Sequence, residues 1–144
     1  MMSCDIYDNC IHDRILGIQD VLNGKFNISQ GFKDLCKALK ELRCGKQYEA
    51  SKNLVEGIYQ IKAGLRKIEK GLSGLRGAID CRVLNEIEEG ARIICNGLEI
   101  LCGALKDICC GQECEAEKNL AEGARLIEEG LCRIEKALDD ICLY

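Results

Sequence analysis

The sequence predicts an all-α protein: an antiparallel four-helix bundle built from two duplicated helical hairpins. Three observations predict it. Apolar residues recur with a three-then-four spacing along most of the chain, Gly31–Leu72 repeats as Gly97–Leu138 at an offset of 66 residues, and no proline interrupts a helix. The two copies are about half identical, so one supersecondary unit is duplicated. A chain of 144 residues that is 47% hydrophobic can bury one core, and residues 1–144 are read as a single domain. Residues 1–79 form its first hairpin and residues 80–144 its second.

The first helix carries its apolar face on Ile18, Val21, Ile28, Phe32, Leu35, Leu39 and Leu42, with Lys25 interrupting. It ends at Cys44-Gly45-Lys46-Gln47, where Gly45 supplies the left-handed residue that closes a helix C-terminus, and Glu49 suits the first turn of the next helix. In the second helix Leu54, Ile61, Ile68 and Leu75 alternate with Ile58, Leu65, Leu72 and Ile79. Gly74, Gly77 and Asp80 mark the joining turn, with Asp80 as N-cap. The third helix sets Ile87, Ile94, Leu101 and Ile108 against Leu84, Ala91, Leu98 and Leu105. Cys110-Gly111-Gln112-Glu113 then repeats the first turn, with Glu115 following, and the fourth helix sets Leu120, Ile127, Ile134 and Ile141 against Ala124, Leu131 and Leu138. Helices of about 30 residues, roughly 45 Å long, are expected.

A small residue precedes the a position of nearly every heptad: Gly17, Gly24, Gly31 and Ala38, then Gly57, Gly64, Gly71 and Ala78, then Gly90, Gly97 and Ala104, then Gly123, Gly130 and Ala137. An interior helical glycine costs about 1 kcal/mol relative to alanine, so packing must offset the column. A row of hydrogens and methyls lets two backbones approach more closely than the usual 8–10 Å or so, and close antiparallel pairs are predicted.

The composition excludes several functions. A net charge of −4, with both signs interleaved, offers no basic patch for nucleic acid and no run of like charge for a membrane surface. The few aromatic residues make no stacking platform. The single histidine, His12, cannot supply the paired Glu-x-x-His motifs of a di-iron bundle, and it reads as a solvated side chain. Haem-attachment, phosphate-loop and nucleophile-elbow motifs are missing. Glu88-Glu89 and Glu128-Glu129 fall among outward charges near Arg92 and Arg133, and no C-x-x-C in a βαβ setting is present. No enzyme is expected.

The twelve cysteines are the main functional signal. Such a content marks a disulfide scaffold in short secreted chains, yet Met1-Met2-Ser3-Cys4-Asp5 has neither a basic nor an apolar signal region, so synthesis in the cytoplasm without a signal peptide is expected. Cys36, Cys95, Cys102, Cys109 and Cys142 each follow a d residue and flank the core. Of these, Cys95, Cys102 and Cys109 form a seam-edge stripe that either fills space as small apolar groups or serves as reactive thiols. Cys4, Cys10, Cys81 and Cys142 belong to the end with the chain termini, and Cys44, Cys109, Cys110 and Cys114 to the end with the hairpin turns. Cys44 and Cys110 lie near the outward f position and Cys132 near b, where core packing does not explain them. Cys4, Cys10, Cys44, Cys110, Cys114, Cys132 and Cys142 are the candidate cross-linking residues, with the pairing open.

In cysteine content without an export signal, the chain resembles the small cysteine-rich coat or exosporium proteins of spore-forming clostridia. The resemblance implies a structural protein that assembles with itself, and with other cysteine-rich proteins, and is cross-linked into a protective layer on the spore surface. No cofactor, nucleic acid or membrane enters that reading. The alternative resembles the thiol-lined four-helix bundles that store copper: a cytoplasmic copper(I) or zinc buffer in which Cys44, Cys109, Cys110 and Cys114 supply four thiolates.

Overall fold

In the computed structural model, residues 2–142 are described, with side chains from Ile11 to Ile141. Four helices, α1 (Met2–Arg43), α2 (Gln47–Leu75), α3 (Cys81–Cys109) and α4 (Glu113–Cys142), run up and down around one core, and no strand is present among the described residues. Both hairpin turns close as the sequence predicts. Gly45 has φ +79° and Gly111 φ +76°, the left-handed conformation that a Cβ disfavours. Lys46 N–H donates to the Glu41 carbonyl at 2.9 Å, and its equivalent Gln112 N–H donates to the Asp107 carbonyl at 2.8 Å, so helix-end acceptors are satisfied in the same way twice. In the joining turn the left-handed residue is Gly77, with φ +80°, while Gly74 lies inside α2. Asp80 caps α3 by accepting the Arg82 N–H at 2.9 Å.

Within each hairpin the small-residue columns face one another. A Cβ placed on Gly31 would stand 2.8 Å from the Gly57 carbonyl oxygen, and one placed on Gly57 would stand 3.0 Å from that of Gly31. Gly24 opposes Gly64, Gly17 opposes Gly71, and in the second hairpin Gly90 opposes Gly130 and Gly97 opposes Gly123. Only a hydrogen fits at these crossings, which is how close dispersion contact offsets the poor helix propensity of glycine. A side-chain hydrogen bond beside each turn is also duplicated: Asn53 donates to Glu41, and Asn119 donates to Asp107 at 2.8 Å.

The hairpins then pack face to face, α1 against α4 and α2 against α3, more loosely than within either pair. The a and d residues fill the space between them; Ile28, Leu35, Ile61, Ile68, Leu101 and Ile127 are among those fully buried, and no polar or charged side chain is buried among the described residues. Heptad position g therefore makes the close seams and position e borders the wider ones. Three ion pairs cross the wider seams: Arg43–Glu117 at 2.8 Å, Lys25–Glu135 at 3.7 Å and Arg76–Glu88 at 3.9 Å.

Besides Gly74, which lies inside α2, and Ile79, which lies beyond its end, two features differ from the sequence expectation. The helix α1 has 42 residues rather than about 30, and takes in the Asn9–Asp13 segment, because nothing between Met2 and Leu16 breaks a helix. The 66-residue repeat also divides in two. Gly24, Gly57, Gly90 and Gly123 recur at equal steps of 33 residues, one per helix, so each helix is one copy of a 33-residue unit.

Candidate functional site

The nine cysteines with described side chains are all free thiols, eight of them exposed and Cys102 half-buried. The heptad register sorts them. Cys36, Cys81, Cys95, Cys102, Cys109, Cys114 and Cys142 all occupy position e, the edge of the wider seam between hairpins. The apolar pattern marks the Cys95, Cys102 and Cys109 stripe but not Cys81 or Cys114. Those two follow Asp80 and Glu113, polar residues that sit at d where the helices begin, so the apolar pattern gave no anchor there. Of the candidate cross-linking residues, the side chains of Cys4, Cys10 and Cys142 lie outside the described ones, and Cys44, Cys110, Cys114 and Cys132 are exposed.

The α3 column, Cys81, Cys95, Cys102 and Cys109, faces the groove between α2 and α3. Arg76 pairs with Glu88 and Glu69 acts on Cys95 across that groove, and the same antiparallel register sets Lys62 level with Cys102 and Val55 level with Cys109. Cys95 and Cys109 are exposed, so space-filling at the seam edge describes only Cys102, which packs against the core. Neighbouring thiols seven residues apart on a helix are about 10 Å apart along its axis, beyond the roughly 4.4–6.8 Å between Cα atoms that a disulfide spans. The facing helix α2 contains no cysteine at all. Oxidation of this column within the protomer therefore has no partner in the column or across its groove.

On the opposite flank Cys36 and Cys114 border the groove between α1 and α4, where Arg43, Cys114, Glu117, Lys118 and Ala121 line a shallow depression. Partial burial, with the Glu128 carboxylate as a second cause, pushes the Cys36 thiol above its ordinary value. Burial, then Glu69 and Glu99, does the same to Cys95. Both thiols are held protonated, the reverse of the activation that a thiol oxidoreductase requires.

The four thiols of the metal alternative do not converge. Cys109 faces α2, Cys114 borders α1, Cys44 lies at f beyond the end of α1 and Cys110 caps α3. Among the described residues no three His, Cys, Asp or Glu side chains are grouped so as to hold a metal ion. The tetrathiolate expected from Cys44, Cys109, Cys110 and Cys114 is thus not formed, because adjacent helical residues diverge and the turn separates Cys110 from Cys114. Among the described residues no helix is long and apolar enough to cross a membrane. Comparison with protein-family models, curated proteins and solved structures finds no match.

Proposed function

We propose that this protein is a structural building block that assembles with its own copies and is locked by intermolecular disulfides into a protective layer, of the kind found on spore surfaces. The observation that carries the reading is the α3 column of four thiols beside a helix without cysteine, which have no disulfide partner within the column or across its groove. Exposed thiols on a rigid rod make it polyvalent, with Cys44 and Cys110 at the hairpin turns and Cys132 on the outer face of α4 as further linking points. The glycine-lined hairpins supply a stiff strut. The reading includes no catalytic residue, no cofactor and no nucleic-acid partner, and other cysteine-rich proteins are acceptable cross-linking partners.

Electrophoresis of the oxidised protein with and without reductant, beside a copper(I) and zinc titration of the reduced protein, tests the proposal. A ladder of oligomers that collapses under reductant, with no stoichiometric metal uptake, is expected. Tight binding of several metal ions by a monomer would overturn it and establish the metal-store reading.

A further inference from the structure

The exposed apolar residues follow the 33-residue unit. Ile15, Leu22 and Phe26 on α1 correspond, at steps of 33, to Tyr48, Val55 and Tyr59 on α2, at positions e, e and b of the heptad. They are 58%, 45%, 63%, 78%, 50% and 70% exposed, so neither trio is used by the fold. In the second hairpin the same positions hold Cys81, Glu88 and Arg92, then Cys114, Ala121 and Arg125. The pattern is therefore not forced by the helix unit. It is confined to the first hairpin, where all the exposed large apolar side chains of the described residues lie.

The two trios occupy opposite flanks and opposite ends. The e positions of α1 border α4, whereas those of α2 border α3, as the Arg43–Glu117 and Arg76–Glu88 pairs show. Tyr48 stands next to the hairpin turn, while Gly17, two residues after Ile15, packs on Gly71 and Leu75 at the far end of α2. The charges around the trios are complementary. Beside the α1 trio α4 contributes exposed Glu135 and Asp139, of which Lys25 pairs only with Glu135, and further along α1 exposed Lys33 stands about level with Glu128. Around the α2 trio exposed Lys52, Lys62 and Lys106 outnumber exposed Glu49 and Glu56; Lys52 and Glu56 share a shallow depression with Tyr48, Ser51 and Val55.

We infer that the α2 trio of one molecule docks on the α1 trio of a second copy, a head-to-tail contact that leaves one trio free at each end and so grows into an open row. Charge favours this pairing, because joining two α1 trios would oppose Glu135 and Asp139 to their own copies. A contact between two different patches that does not close on itself propagates. The inference rests on the self-assembly reading and names its non-covalent contact.

Sedimentation velocity in excess reductant tests it, with no disulfide present. Wild-type protein is expected to associate with concentration into species of increasing size. Leu22→Ser with Phe26→Ser, and separately Val55→Ser with Tyr59→Ser, are each expected to remain monomeric with unchanged helical circular dichroism. A 1:1 mixture of the two variants is expected to stop at dimers, because one intact trio of each kind remains. A variant that still associates alone, or reduced wild type that stays monomeric, would overturn the contact. Reduced monomers that nevertheless form a reductant-sensitive ladder on oxidation would remove this contact while leaving the thiol reading intact.

Discussion

At the scale of single residues, the same amino acid has opposite energetic meanings at different sites. A methyl on Gly24 would run into the Gly64 carbonyl oxygen, a backbone atom that cannot rotate away, whereas nothing lies within 4 Å of a Cβ on Gly103. Gly24→Ala is expected to destabilise by about 1–3 kcal/mol through overpacking, and Gly103→Ala to stabilise by about 0.5–1 kcal/mol through helix propensity. Urea unfolding followed by circular dichroism checks both, and equal effects would mean the close seam is not what holds the hairpin. The thiols carry a second prediction. Cys36 and Cys95 have raised folded values, so their protonated forms belong to the folded state and their full contribution is present below the unfolded thiol value of about 8.5. Above that, the unfolded chain releases protons that the fold retains, and stability falls as pH rises through the folded values. The urea midpoint of reduced protein should therefore drop as pH rises above about 8.5, and Cys36→Ala with Cys95→Ala should lessen the drop; an identical pH profile in the variant would contradict the assignment.

At the scale of elements, legibility depended on how local the signal was. The turns were legible because Gly45 and Gly111 sit in a four-residue pattern with one geometric solution, and the column from Gly17 to Ala137 predicted the close pairs because nothing else justifies so many helical glycines. Gly45→Ala and Gly111→Ala are each expected to cost about 1–2 kcal/mol, the penalty of a Cβ in the left-handed region, measurable as lowered urea midpoints. The length of α1 was less legible, since its first turns carry no regular apolar face. The 33-residue unit was hidden because the outward positions differ between helices: Ile15, Tyr48, Cys81 and Cys114 are equivalent yet chemically unlike. The alternative metal group is not assembled among the described residues for a three-dimensional reason, as Cys109 and Cys114 are near in sequence but border different grooves.

At the scale of the whole molecule, the two hairpins share a backbone plan and divide the surface chemistry. The first carries the exposed apolar residues, and the second carries seven of the nine described thiols. The ion pairs joining the hairpins are exposed, so salt should change stability little, whereas Leu101→Ala in the shared core should cost about 2–5 kcal/mol. The proposed cross-linking turns on the α3 thiols finding their partners on other molecules. The direct measurement is disulfide mapping by mass spectrometry after oxidising an equal mixture of ¹⁴N- and ¹⁵N-labelled protein. Hybrid peptides joining a light and a heavy chain through Cys81, Cys95, Cys102 or Cys109 are the predicted result; cystines of these residues found only within single-isotope pairs would contradict it.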